Sequence, residues 1–249
     1  MNIDPHYYYL LVNAACFIFP FGLSFLPIMP FYKHFKSVLV GMLTMMALFI
    51  PWDIYFTHIG IWGFNPAYIT GHYIAGLPIE EWLFFICIPF ACLYTYECVR
   101  YFGKNLRTAH YHRWISPIII GVALLLAIIH YDHFYTVSSS FLCAALVFWH
   151  TYVKKSTSLS TFFVAWSILL IPFYISNGVL TGLDFYQYPI LNFHPHEIVD
   201  QIVWYNNDHN LGLRIWSVPA DDFFYGMLMV LLALTGYEWH LGQNRIINK

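Results

Sequence analysis

Charge is scarce in this chain. Of 249 residues only 11 are Lys or Arg and 13 are Asp or Glu, leaving a net charge of −2. No Lys/Arg stripe or tail is present to neutralise a phosphate backbone, which excludes nucleic acid as a partner. Cysteine is also sparse: Cys16, Cys87, Cys92, Cys98 and Cys143 sit singly in apolar runs, without disulfide or zinc spacing. No G-x-G-x-x-G motif follows a strand and opens a helix, so a dinucleotide-binding unit is missing and no organic cofactor is expected. The opening MNIDPHYYY has no basic n-region, so the first apolar run is expected to be retained as a helix.

What the chain has in abundance is apolar surface. Hydrophobic residues make up 59% of it, aromatics 21%, and the mean hydropathy is +0.59, far from the balance of a water-soluble domain. Apolar stretches near 8–27, 37–55, 79–101, 114–131, 136–153, 161–180 and 220–240 each approach the length that crosses a bilayer core. The expected fold class is therefore all-α, a polytopic membrane bundle of about seven transmembrane helices. The basic residues give an independent test. Lys33 and Lys36 follow the first helix, Arg100, Lys104, Arg107 and Arg113 the third, Lys154 and Lys155 the fifth, and Arg245 and Lys249 the seventh. Only Arg214 falls in a loop of the other set. The positive-inside rule then predicts a multi-pass protein of the cell inner membrane with its N terminus outside and its C terminus cytoplasmic.

The sequence also repeats itself. Leu77-Pro78-Ile79-Glu80-Glu81-Trp82 opens the third helix and Val218-Pro219-Ala220-Asp221-Asp222-Phe223 the seventh. Tyr96-Glu97 and Tyr237-Glu238 close them at the same offset of 141 positions, 80 to 221 and 97 to 238. Trp52-Asp53 ends the second helix where Ser176-Asn177 ends the sixth. These matches predict two parallel three-helix repeats, 1–113 and 136–249, joined by one helix over 114–135. The longer loop before the second acidic pair is expected to form an outer cap.

Carboxylates at membrane depth are costly and so are functional candidates. Glu80, Glu81, Asp53, Asp221 and Asp222, with Asn177 as a polar counterpart, map to the outer helix ends. Glu97 and Glu238 map to the inner face. The plain explanation of each acidic pair is helix-start chemistry, because proline fits the first turn and carboxylates favour the positive end of the helix dipole. Two copies and a third carboxylate on one face favour an acid and base cluster, because desolvation and like charge keep some members protonated while neighbours accept protons. Phe84 and Tyr225 lie one turn below the pairs. With Trp52, Trp62, Trp82, Phe85 and Phe224 they offer ring faces to a carbocation, although single aromatics near a membrane surface are usually belt residues.

Trp52-Asp53, Trp62-Gly63-Phe64-Asn65, Tyr68-Ile69-Thr70-Gly71, Leu77-Pro78-Ile79-Glu80-Glu81-Trp82 and Tyr94-Thr95-Tyr96-Glu97 together resemble the first unit of the membrane lycopene cyclases of the heterodimer type. Asn177-Gly178, Leu180-Thr181-Gly182, Trp204-Tyr205, Arg214 and Pro219-Ala220-Asp221-Asp222 resemble the second unit. In that family each of two small subunits, or each half of a fused chain, carries a P-x-E-[ED] motif, and this chain resembles the fused form. It departs from the pattern at Asp221, where the family favours Glu. The resemblance implies redox-neutral cyclisation of linear lycopene to a ring-bearing carotenoid, with β-rings, as a step of carotenoid biosynthesis. It implies Glu80 as the acid, Glu81 or Asp222 as the base, and Asp53 with Asp221 as electrostatic support. Trp52, Trp82, Phe84, Phe85, Phe224, Tyr225 and Asn177 would contact the substrate. Partners would be the carotenoid, the lipid bilayer and other enzymes of the carotenoid pathway, with no metal. The parallel repeats suggest one site that closes the two ends in sequence.

Two other classes compete. His110-x-His112, His130-x-x-His133 and His194-x-His196 suggest a di-iron oxidase or desaturase, but the first pair lies on the opposite side from the other two. A seven-helix transporter with carboxylate proton relays is the second. A retinal protein is excluded, because 220–240 contains no lysine for a Schiff base.

Overall fold

The computed structural model describes residues 3–103 and 110–247, with side chains to residue 243. Lys104, Arg107, Lys249 and the side chain of Arg245, which carry part of the charge argument, lie outside that description. The described chain forms seven long helices: α1 (Tyr8–Leu23), α2 (Phe35–His58), α3 (Ile79–Phe102), α4 (His112–Ile129), α5 (Phe134–Phe148), α6 (Leu159–Thr181) and α7 (Asp222–Ile247). α1 to α6 belong to segments long and apolar enough to cross a membrane, and α7 runs in the middle of the bundle. The all-α membrane bundle is thus the fold.

α3 and α7 form the centre, with α1 packed on α3 and α5 on α7. α2 lies against α7 and α6 against α3, so each of these helices packs on the central helix that is more distant in sequence. The two cross-packings differ in closeness. A Cβ on Gly41 would lie 2.5 Å from the Ala233 carbonyl oxygen, and one on Gly236 would lie 2.3 Å from Thr44 Oγ1. These glycines let the α2 and α7 backbones approach, the usual device where lipid removes any hydrophobic drive to associate. The position of α3 matching Gly236 by the 141 offset is Thr95, and the pairing of α3 with α6 is far less extensive.

At one end of the bundle the loops carry short strands absent from the sequence reading. β1 (Trp62–Phe64) pairs antiparallel with β5 (Val203–Tyr205), Trp62 opposite Tyr205. The Asn65 N–H donates to Ile202 O at 2.9 Å and the Asn206 N–H to Ile61 O at 2.8 Å. β2 (Tyr73–Ile74) pairs with β3 (Leu77–Pro78), and β6 (Arg214–Ile215) with β7 (Val218–Pro219); β4 (Leu191–Asn192) adds to β6. Asn65 and Asn206 cap matching turns by accepting from the N–H groups of Ala67 and Asp208, both at 3.0 Å. Gly71 and Gly212 stand at matching positions with φ of 78° and 64°, where a side chain is disfavoured. The loop backbone must bond to itself because it lies over an apolar bundle, and short strands do this.

At the other end, Tyr96 Oη donates to Glu238 at 2.8 Å and Tyr237 Oη to Glu97 at 2.5 Å. Arg100 pairs with Glu97 at 2.5 Å and lies 3.7 Å from Glu238. These crossed bonds tie α3 to α7. Substituting Gly41→Val should force α2 off α7 and lower stability by about 1–3 kcal/mol, read as a fall in melting temperature of the detergent-solubilised protein. An unchanged melting temperature would show that the α2–α7 contact is looser than the backbone distances imply.

Candidate active site

The two residues of each acidic pair point to different places. Adjacent positions on a helix do not share a face, so one carboxyl of each pair serves the cap and the other faces inward. Glu80 Oε1 accepts from the Thr70 N–H at 2.8 Å and from Thr70 Oγ1 at 2.7 Å. Asp221 accepts from the Leu211 N–H at 3.1 Å and from Thr136 Oγ1. Leu211 stands where Thr70 stands, 141 positions on. Both side chains are fully buried and fasten a cap loop to a helix start.

Glu81, Asp222 and Asp53 instead line a cavity of about 470 Å³. Tyr9 of α1 donates to Glu81, and Tyr135 of α5 to Asp222 at 2.6 Å. Tyr205 of β5 reaches Asp222 as well, at 3.3 Å. Asp53, near the end of α2, accepts from Trp62 Nε1 at 2.5 Å and from Thr57 at 3.4 Å, while its other oxygen is buried without a partner. Asp53 and Glu81 interact electrostatically on one wall. On the opposite wall the nearest cation is Arg214, 1% exposed, its guanidinium 5.3 Å from the centre of the Tyr205 ring. Arg214 donates to Asn207 at 2.6 Å and to Ser217 O at 3.0 Å and makes no ion pair within 4 Å among the described residues. Burial lowers its pKa from the ordinary arginine value, with Asp222 first among the groups that oppose this. Burial and the charge of Asp222 push the Tyr205 hydroxyl well above its usual range, which keeps it a donor.

The remaining walls are aromatic and aliphatic. Phe64 and Phe84 approach Tyr9, with ring centres 6.5 Å apart in both cases. Tyr225 meets Trp62 at 5.8 Å and Tyr135 at 5.9 Å, edge to face. Asn177 also lines the space. Of the aromatics expected to touch a substrate, Phe84, Tyr225 and Trp62 line the cavity, whereas Trp52, Trp82, Phe85 and Phe224 stand behind it. Trp52 packs on Tyr225 and Phe56, Phe85 on Phe49 and Phe84, Phe224 on Phe223, and Trp82 bonds to Ile74 O at 3.1 Å. Tyr9 and Tyr135 escaped the sequence reading, which names Tyr205 in the second unit without a role in the site. The first two open helices in aromatic clusters that resemble an interfacial belt, and only the pairing of β1 with β5 brings Tyr205 inward.

Such a cavity can give a proton to an apolar ligand, hold positive charge against ring faces, and take a proton back on another wall. Among the described residues no group of His, Cys, Asp and Glu is arranged to hold a metal ion. Glu80→Gln, which keeps an acceptor for Thr70, should preserve the fold, whereas Glu80→Ala should lower stability by about 1–3 kcal/mol through the orphaned Thr70 N–H; thermal unfolding of the two variants measures the difference. Equal melting temperatures would remove the loop-fastening role.

The family model described as Lycopene cyclase matches residues 6–99 and 132–240. No curated protein and no solved structure matches the chain.

Proposed function

The chain belongs to the lycopene cyclase family, an intramolecular isomerase acting on a carotenoid in the membrane, and from that membership we propose that Glu81, Asp53 and Asp222 perform the chemistry. The observation carrying this reading is that these three carboxyls share one aromatic-walled cavity, while Glu80 and Asp221 are engaged by the cap. The acid role that the sequence resemblance gave to Glu80 is therefore assigned to the Glu81 and Asp53 wall.

The asymmetry between the walls divides the labour. Asp53 and Glu81 lie together, and two like charges in a dry site oppose double ionisation, so the pair holds a proton. Asp222 receives two tyrosine hydroxyls and lies near Arg214, and each of these contacts favours its anion against the cost of burial. Glu81 or Asp53 protonates the terminal double bond of lycopene; the tertiary cation closes onto a neighbouring double bond; Asp222 removes a ring proton. One proton enters and one leaves, so mass and oxidation level are unchanged. The rings of Phe84, Trp62 and Tyr225 stabilise the intermediate cation, and the cap excludes water that would capture it.

The resemblance favours β-rings, and one site treats the two ends in turn, releasing a monocyclic intermediate. The chain is read as two units, 1–113 and 136–249, joined through 114–135, supported by the 141 offset that relates the helix starts and the cap strands. The cap is assigned to the outer side of the inner membrane and the C terminus to the cytoplasm, by the distribution of basic residues. A fluorescent reporter that matures only in the cytoplasm should glow when fused at the C terminus; a dark, correctly inserted fusion would reverse the orientation.

Expression in a lycopene-accumulating bacterial host should yield isomers of unchanged mass with shortened chromophores, and retention against β, ε and γ standards identifies the ring. Glu81→Gln and Asp222→Asn should each cut conversion at least about 100-fold, with Glu80→Gln within about 10-fold of the parent. Activity surviving in Glu81→Gln but lost in Glu80→Gln would return the acid role to Glu80.

A further inference from the structure

The cavity does not end at the carboxyls. It continues along α3 to Thr95, fourteen residues beyond Glu81 and so about 21 Å along the helix. On its flank it reaches residues that face outward: Ala15 and Phe19 on α1, Pro172 and Ile175 on α6. Phe19 is 71% exposed and Ile175 51%, so this wall is open on the side of the bundle that meets lipid acyl chains.

The opening has a cause in the packing. The bundle contains two equivalent seams, α2 against α7 and α6 against α3. Gly41 and Gly236 close the first. At the matching places in the second stand Ala165 and Thr95, and the helices remain far enough apart for the cavity to run between them. α1 touches α6 only lightly, and each carries a proline, Pro20 and Pro172, in this stretch.

We propose that the gap between α1 and α6 is a lateral port: one end of a linear polyene slides in from the bilayer to the carboxyls, while the far end stays in lipid. The port rests on the cyclase reading and deepens it by defining the substrate class. An apolar chain dissolved in the membrane need not pass through water or the cap. Because the far end remains outside the protein, it is not recognised. The enzyme then accepts polyenes with one open, unsaturated end whatever stands at the other, whether a second open end, a ring already formed or a truncated terminus.

The full-length protein in lipid vesicles tests this with two compounds, lycopene and lycopene cut back to an aldehyde at one end, assayed by chromatography. The parent protein is expected to cyclise both, with rates within about three-fold of each other. Ala15→Trp and Ile175→Trp, which add bulk only at lipid-facing positions, should slow both reactions at least ten-fold. Leu125→Trp, on the exposed face of α4, should leave them unchanged. Undiminished rates in the doubly substituted Ala15→Trp, Ile175→Trp protein would overturn the port. Cyclisation of lycopene with rejection of the truncated compound would overturn the unread far end. Failure of the parent protein on lycopene itself would instead sink the cyclase reading on which the port stands.

Discussion

A carboxyl group held at the edge of a hydrocarbon layer must be given hydrogen-bond donors, and this requirement shapes the upper half of the molecule. Backbone groups there face the same demand, since lipid offers them nothing. The pairing of β1 with β5 meets both needs. It satisfies two cap loops against each other, brings Tyr205 over Asp222 and places Trp62 on Asp53. The tyrosines of α1 and α5 complete the set from below. Glu80 and Asp221, one helix position away, anchor the loops from which this roof is made, so the roof and the cavity depend on the same two tetrapeptides.

Much of this organisation was legible beforehand. Helix number and spacing follow from apolar runs and basic loops, and the 141 offset that links Glu80 to Asp221 also links β1 to β5, β2 to β6 and β3 to β7. The division of labour within each acidic pair was not legible. Pro78-Ile79-Glu80-Glu81 specifies that a helix begins, and α3 is apolar on every side, so no amphipathic stripe reveals which carboxyl turns inward. That answer depends on Thr70, ten residues upstream, folding back onto Glu80. Tyr9 and Tyr135 were hidden for a related reason: an aromatic at the end of a membrane helix is normally at home in the interface, and only a partner 72 or 87 positions away makes it a donor to a carboxyl.

The two halves are alike in backbone and unlike in what they carry. Asp53 and Asn177 both line the cavity, and Arg214 stands where the first half has the exposed Tyr73. Gly236 corresponds to Thr95. Each difference is small in sequence, yet together they leave one seam tight and one open, and one wall acidic with the other close to a cation. A repeated scaffold thereby holds one cavity with unlike walls.

The unequal walls bear on what happens between turnovers. On the proposed assignment, the proton that began beside Asp53 resides on Asp222, near Arg214, once a ring has closed. A neutral carboxyl forfeits the attraction of that guanidinium, and the emptied Asp53 and Glu81 pair now carries adjacent like charges. On that assignment both imbalances drive the proton home, so the difference between the walls also rewinds the site.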